Sequence, residues 1–195
     1  MKPAFNFPIQ ANGLISGHFL SRGITNFADA ASFIRQLPYR RNADKTDVAC
    51  IFKDSGGTCG PKHAALRQLA LENGVSALRL KLGLFKMSAQ NTPSVAATLA
   101  EYGLPYLPEA HNYLRVGADI WDCTALRSSG EDFEADLLLE VEIEPNQIAD
   151  SKVAFHHAYL ERWLAQNPTL GLSMPQLWAA REQCIQDLSA SWATD

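Results

Sequence analysis

The chain has 195 residues, 47% hydrophobic and 19% charged, with a formal net charge of -4. This supplies enough apolar side chain for one domain whose core needs neither disulfides nor metal. The slight acidity and the lack of any dense Lys/Arg run disfavour wholesale binding to nucleic acid or an anionic membrane.

In chain order, the start mixes Phe, Pro, Gly and Asn without a continuous apolar stretch, so no secretory signal is expected. Residues 1–23 read as irregular, with a short strand near Leu14 to Leu20. A helix is expected from a cap at Thr25 or Asn26 through Leu37, stopped by Pro38. A polar loop, YRRNADKTD, leads to a short apolar stretch, VACIF. Dense punctuation follows. Gly56-Gly57 precede Thr58-Cys59, Pro61 suits a first helical turn, and Asn73-Gly74 stop the helix. Val75 to Phe85 reads as a strand, Pro93 to Gly103 as a short helix, and LPYLPEA as a loop. Two strands, HNYLRV and IWDCT, are joined at Gly117-Ala118-Asp119, a hairpin signal. Asp136 to Glu144 forms a third strand, with Glu140, Glu142 and Glu144 on a solvated face. Helices are expected over about 147–166 and 175–191. Strands close in sequence, bracketed by helices, indicate α+β rather than alternating βαβ. We expect a single domain over 1–195, with a core of about 25–145 and a C-terminal helical segment of about 146–195. No window approaches the roughly 18 consecutive apolar residues of a spanning helix. The cysteines are widely spaced with no CxxC pair, which suggests a reducing, cytoplasmic setting.

Cys59 is the first candidate for chemistry. A helix start stabilises a thiolate, flanking glycines let a substrate approach, and the Cys59 N–H can donate to an oxyanion. The same position also suits a small buried residue at a helix cap. His111 and Asp122 lie on the two strands of the expected hairpin. Antiparallel pairing would bring them together away from the turn, where a carboxylate can fix the imidazole tautomer. Trp121 would shield that pair from water. An exposed histidine and an unrelated aspartate are the plainer alternative.

The run GGTCGPKHAALRQLALENGV resembles the nucleophile segment of the transglutaminase-like superfamily, in which Gly-x-Cys opens a helix. The run HNYLRVGADIWDCT resembles the second half of that core, where His heads one strand and Trp and Asp-x-Thr end the next. The matching positions are Gly57, Cys59 and Ala64, then His111, Trp121, Asp122 and Thr124, within about residues 50 to 125. The resemblance implies a papain-like α+β core with the nucleophile helix packed on a small antiparallel sheet. It also implies a Cys59–His111–Asp122 triad, no metal or organic cofactor, and an amide, peptide or protein substrate attacked by a thiolate.

Two departures stand out. Asn112 follows His111 where many members carry a small residue, and no counterpart of the upstream oxyanion side chain is evident; Asn42 and Tyr39 are candidates. Because the superfamily includes inactive members, a peptide- or protein-binding module is the second reading. Acetyl transfer, as in arylamine N-acetyltransferases, is the third. His63 shares a helix face with Cys59 but has no carboxylate near in sequence, so it reads as capping or packing. Adjacent His156 and His157 point to different helix faces and do not form an i, i+4 metal pair. Cys50, Cys123 and Cys184 read as core residues.

Overall fold

A computed structural model describes residues 5–192. The start and end of the chain, 1–4 and 193–195, lie outside the described residues, so the irregular start expected for 1–23 is compared from residue 5 onward. The architecture is α+β: a four-stranded antiparallel sheet, order β3-β2-β1-β4, with helices packed against it. Its strands are β1 (Leu78–Met87), β2 (Leu107–Val116), β3 (Asp119–Trp121) and β4 (Leu137–Glu142). Leucines 78, 80, 82 and 84 of β1 enter one apolar cluster, while Phe85 and Met87 enter a second. The period-2 alternation of a strand thus gives the sheet two buried faces.

The first cluster is covered by α1 (Leu14–Leu20), α2 (Phe27–Gln36), α3 (Cys50–Lys53) and α4 (Cys59–Glu72). The second packs on α5 (Ala96–Glu101), α6 (Asp150–Gln166) and α7 (Met174–Trp192). No helix among the described residues is long and apolar enough to cross a membrane.

Helix α4 is the central element, buried on nearly every side, as a helix with an apolar or small residue at most positions must be. Its two buried cations find carbonyl partners. Arg67 Nη1 donates to Leu78 O at 2.6 Å, and Lys62 Nζ donates to Leu37 O at 2.5 Å and Thr124 O at 2.6 Å. The helix ends where Asn73-Gly74 predicts, with Gly74 at φ 70.

Several expectations need correcting. Leu14 to Leu20 is helical, not extended. Its orphan N–H groups are capped by the Glu72 carboxylate, which accepts from Ile15 N at 3.1 Å and Ser16 N at 2.7 Å. That partner lies 57 residues away and leaves no local signal. Strand β2 begins at Leu107, so half of the expected LPYLPEA loop is strand. Pro108 is tolerated because β3 reaches only Leu114 to Val116, leaving the other edge of Pro108 unpaired in the sheet. The second hairpin strand stops at Trp121, so Asp122 lies just past it. The glutamates are compensated rather than merely solvated: Glu140 accepts from the Tyr113 hydroxyl and from Arg115 Nε at 2.7 Å, and Glu142 pairs with Arg79 at 2.9 Å.

Candidate functional site

The loop before α4 is fixed before any chemistry is considered. Gly56 and Gly57 are needed for close approach, not for a left-handed backbone. A Cβ on Gly56 would meet Pro38 O at 2.9 Å, and one on Gly57 would meet Ile51 Cγ2 at 3.0 Å. The positive φ falls on Ser55, at 50. Asn42 spans the loop, donating to Asp54 Oδ2 at 2.9 Å and Gly56 O at 2.8 Å. It braces the approach to Cys59 and is turned away from an oxyanion role. Thr58 caps α4 without a side-chain bond, so the Cys59 N–H has no partner inside the helix.

The structure brings Cys59, His111 and Asp122 to one wall of a cavity of about 890 Å³. His111 stands mid-strand on β2, and its Nε2 donates to Asp122 Oδ2 at 2.9 Å. That leaves Nδ1 free of the carboxylate, beside Cys59, where the imidazolium and the thiolate favour each other's charged form. Thr124 completes the carboxylate, donating to Asp122 Oδ1 from its N–H at 2.9 Å and from Oγ1 at 2.5 Å. This local turn accounts for the Asp-x-Thr spacing. The hairpin turns at Gly117, φ 60, with Val116 opposite Asp119. Lys62, by holding the Leu37 and Thr124 carbonyls, ties both cavity walls to the nucleophile helix. Arg35 does the same for the loop after Asp122, donating to Ala125 O at 3.2 Å and Leu126 O at 2.7 Å.

Trp121 does not shield the pair. Its ring lies 6.0 Å from Phe5 and 6.1 Å from Phe27, in the opposite cluster. The shielding rings are Phe133, at 4.9 Å from the His111 ring, with Tyr113 at 6.0 Å and Phe85 at 6.2 Å.

The electrostatics follow from these contacts. Burial disfavours a Cys59 thiolate, but the charges of Lys152 and His111, the His111 hydrogen bond and the Asn112 N–H outweigh it and bring the thiol to about 6. Burial likewise disfavours His111 cation, but the Asp122 and Cys59 charges raise it to about 10. Asp122 is held well below the carboxylate range, because the adjacent His111 outweighs its burial. The other thiols behave oppositely: burial raises Cys50 to about 11 and Cys123 and Cys184 to about 12. Of the four thiols, Cys59 is therefore the one whose thiolate is favoured near neutral pH.

His63 is also part of the site. Its ring is fully buried, with Nδ1 at 2.8 Å from Cys59 O and Nε2 accepting from Cys123 N at 2.7 Å. Since a carbonyl only accepts, Nδ1 carries the proton. The bonding pattern fits the neutral ring alone, and burial lowers it to about 4 although Asp122 Oδ1 lies 3.5 Å away.

The C-terminal helices supply parts that sequence reasoning did not assign. Helix α7 walls the cavity with Ile185 and Leu188. Arg181 of α7 binds Glu109 on β2 through two bonds, at 3.0 and 2.7 Å, two residues ahead of His111. Lys152 of α6 lies 3.6 Å from Cys59 Sγ and donates to Asn112 Oδ1 at 2.8 Å. Nothing local to Lys152 in sequence signals this, since its partners lie 93 and 40 residues away. Tyr39 borders the same cavity, and burial beside the Cys59 charge raises its phenol, keeping it a neutral donor. Among the described residues, no group of three or more His, Cys, Asp or Glu is placed to hold a metal ion.

Comparison with known proteins finds no match to this chain among family models, curated proteins or solved structures.

Proposed function

We propose that this protein is a thiol-dependent acyl-transfer or hydrolase enzyme acting on an amide or peptide carbonyl, built on the papain-like core that the transglutaminase-like resemblance implies. The observation that carries this reading is the convergence of Cys59, His111 and Asp122 on one cavity, with the imidazole bonded to the carboxylate at 2.9 Å.

In this reading the Cys59 thiolate attacks the carbonyl carbon, forming the C–S bond while the C=O π pair moves onto oxygen. The Cys59 N–H receives that oxyanion. As the tetrahedral adduct collapses, the C–N bond breaks and His111 Nδ1–H protonates the leaving nitrogen. Asp122 holds the imidazole throughout and stabilises its cation. Water or an amine then loses a proton to His111, attacks the thioester and expels Cys59 as thiolate. The substrate is a peptide, protein or small amide. The cavity walls of Phe85, Met87, Phe133, Ile185 and Leu188 favour an apolar group beside the reacting carbonyl.

The test is residue-resolved alkylation by iodoacetamide. Selective labelling of Cys59 at pH 6, lost in His111→Ala, is the expected result. Labelling of Cys59 no faster than that of the other three cysteines, and indifferent to His111, would return the fold to the reading of a peptide- or protein-binding module.

A further inference from the structure

Lys152 is the one ammonium group bonded to the reacting sulfur among the described residues, and its placement is costly for its own helix. It is the third residue of the 17-residue helix α6, where the macrodipole disfavours a cation. A local rule broken in this way points to a role elsewhere.

That role is legible in how the side chain is held. Asn112 is fully buried, and its Nδ2 donates to Lys81 O at 3.1 Å, which turns Oδ1 toward Lys152. Lys152 Nζ then spans Asn112 Oδ1 at 2.8 Å and Cys59 Sγ at 3.6 Å. An ammonium has three N–H groups, and these two contacts use two of them. Asn112 is the residue that departs from the superfamily pattern, and the upstream oxyanion side chain is the part with no counterpart. The two departures meet at Lys152.

We propose that Lys152 is a catalytic residue of this site, pairing with the Cys59 thiolate before attack and supplying the side-chain hydrogen bond to the oxyanion afterwards, with Asn112 as its positioning residue. This rests on the acyl-transfer reading above. When the thiolate attacks, negative charge moves from sulfur through the new C–S bond to the carbonyl oxygen on the same carbon. Lys152 follows it by reorienting an N–H, without transferring a proton. A fixed charge that shadows the developing charge stabilises the transition state more than the ground state. The other ionisable groups facing Cys59 are His111 on β2, Tyr39 and Lys45 on the loop after α2, Lys62 on α4, and, through Asp122 and the Cys59 carbonyl, His63 on α4.

The experiment uses the full chain and p-nitrophenyl acetate, an activated ester that acylates a reactive thiol, with the p-nitrophenolate burst as readout. Variants are Lys152→Met, Lys152→Arg, Asn112→Leu and Tyr39→Phe, with His111→Ala as the control for the triad itself. Lys152→Met is expected to slow the burst about 100-fold, the usual effect of losing one oxyanion donor. It should also shift the pH midpoint of the burst upward. Lys152→Arg should restore most of both, and Asn112→Leu should fall between. Lys152→Met within twofold of wild type, or Lys152→Arg as slow as Lys152→Met, overturns the assignment while a His111-dependent burst leaves the triad standing. A loss in Tyr39→Phe with none in Lys152→Met assigns the donor to Tyr39 and overturns it equally. A wild-type burst indifferent to His111 removes the acyl-transfer reading and this inference with it.

Discussion

Two histidines sit within reach of one carboxylate and behave in opposite ways. His111 lies 2.9 Å from Asp122 and is raised to about 10; His63 lies 3.5 Å from it and is lowered to about 4. His63 is fully buried and His111 largely so, and both lie beside Cys59. The difference lies in what their two nitrogens are offered. His111 faces two acceptors, a carboxylate and a thiolate, so both of its nitrogens gain by carrying protons. His63 faces a carbonyl on one side and an N–H on the other, so a second proton would set N–H against N–H. Burial disfavours the charged form of both rings; the Asp122 and Cys59 charges outweigh it at His111 but not at His63, where the Cys123 N–H also leaves no acceptor for a second proton.

The contrast can be broken most severely at the carboxylate they share. Asp122→Asn keeps the shape but removes the charge that makes His111 a cation and fixes its tautomer. Acyl-enzyme formation should fall on the order of 1,000-fold or more, measured as the burst rate with an activated ester. A fall of less than tenfold would show that His111 does not depend on Asp122.

Removing the neutral histidine should damage the fold rather than the chemistry. His63→Leu strands the Cys123 N–H in the core, at about 1–3 kcal/mol, and removes a second bond to the Cys59 carbonyl, which keeps its helix partner. Urea unfolding should register a loss of about 2–3 kcal/mol, while Cys59 alkylation per folded molecule stays within a few-fold. His63→Gln offers one donor and one acceptor and should recover much of the loss.

Acid should act on the same residue. In the unfolded chain His63 gains its proton near 6.5, whereas the folded protein resists until about 4. Its contribution is therefore intact above pH 6.5 and is lost as pH falls from there to about 4, by roughly 3 kcal/mol in all. His156, also lowered by burial, adds in the same direction. His111, charged when folded but only partly so in the unfolded chain above 6.5, opposes the trend near pH 7, while Cys59, lowered to about 6, adds to it. Unfolding free energies between pH 7 and pH 4 should fall less steeply in His63→Gln; an unchanged slope would place the titration elsewhere.

The smallest effect is expected at Thr124. Thr124→Val deletes the hydroxyl bond to Asp122 but keeps the backbone bond, and should cost about 1 kcal/mol of stability and a few-fold in burst rate. A full loss of activity would mean that the hydroxyl, not the N–H, orients the carboxylate.

How much of this was legible in the sequence depends on how far each partner lies along the chain. Helix α4 with Cys59 at its start, its Asn73-Gly74 stop and the hairpin at Gly117 are written in local residues, and they emerge with nearly the expected bounds. Helix α1 was misread because its cap is Glu72. Trp121 could be placed beside Asp122, but which cluster its ring enters depends on Phe5 and Phe27. His63 looked like a packing residue without a carboxylate, since Asp122 approaches only after the hairpin forms. Lys152 and Asn112 are invisible as a pair because 40 residues and two strands, β3 and β4, separate them, although each breaks a local expectation: a cation in a first helical turn, and an amide where the resemblance leads one to expect a small residue. Such local breaks are the signal that could have found them.

The most direct test of the thiolate–imidazolium pair is a pH titration of absorbance at 240 nm, where thiolates absorb, taken as wild type minus Cys59→Ala. The remaining thiols are raised to about 11 or 12 by burial, so the window from pH 5 to 8 belongs to Cys59. The account predicts one thiolate step centred near pH 6 in wild type, moving toward the ordinary thiol range in His111→Ala. A step near pH 8.5 or above in wild type, unmoved by His111→Ala, would contradict it.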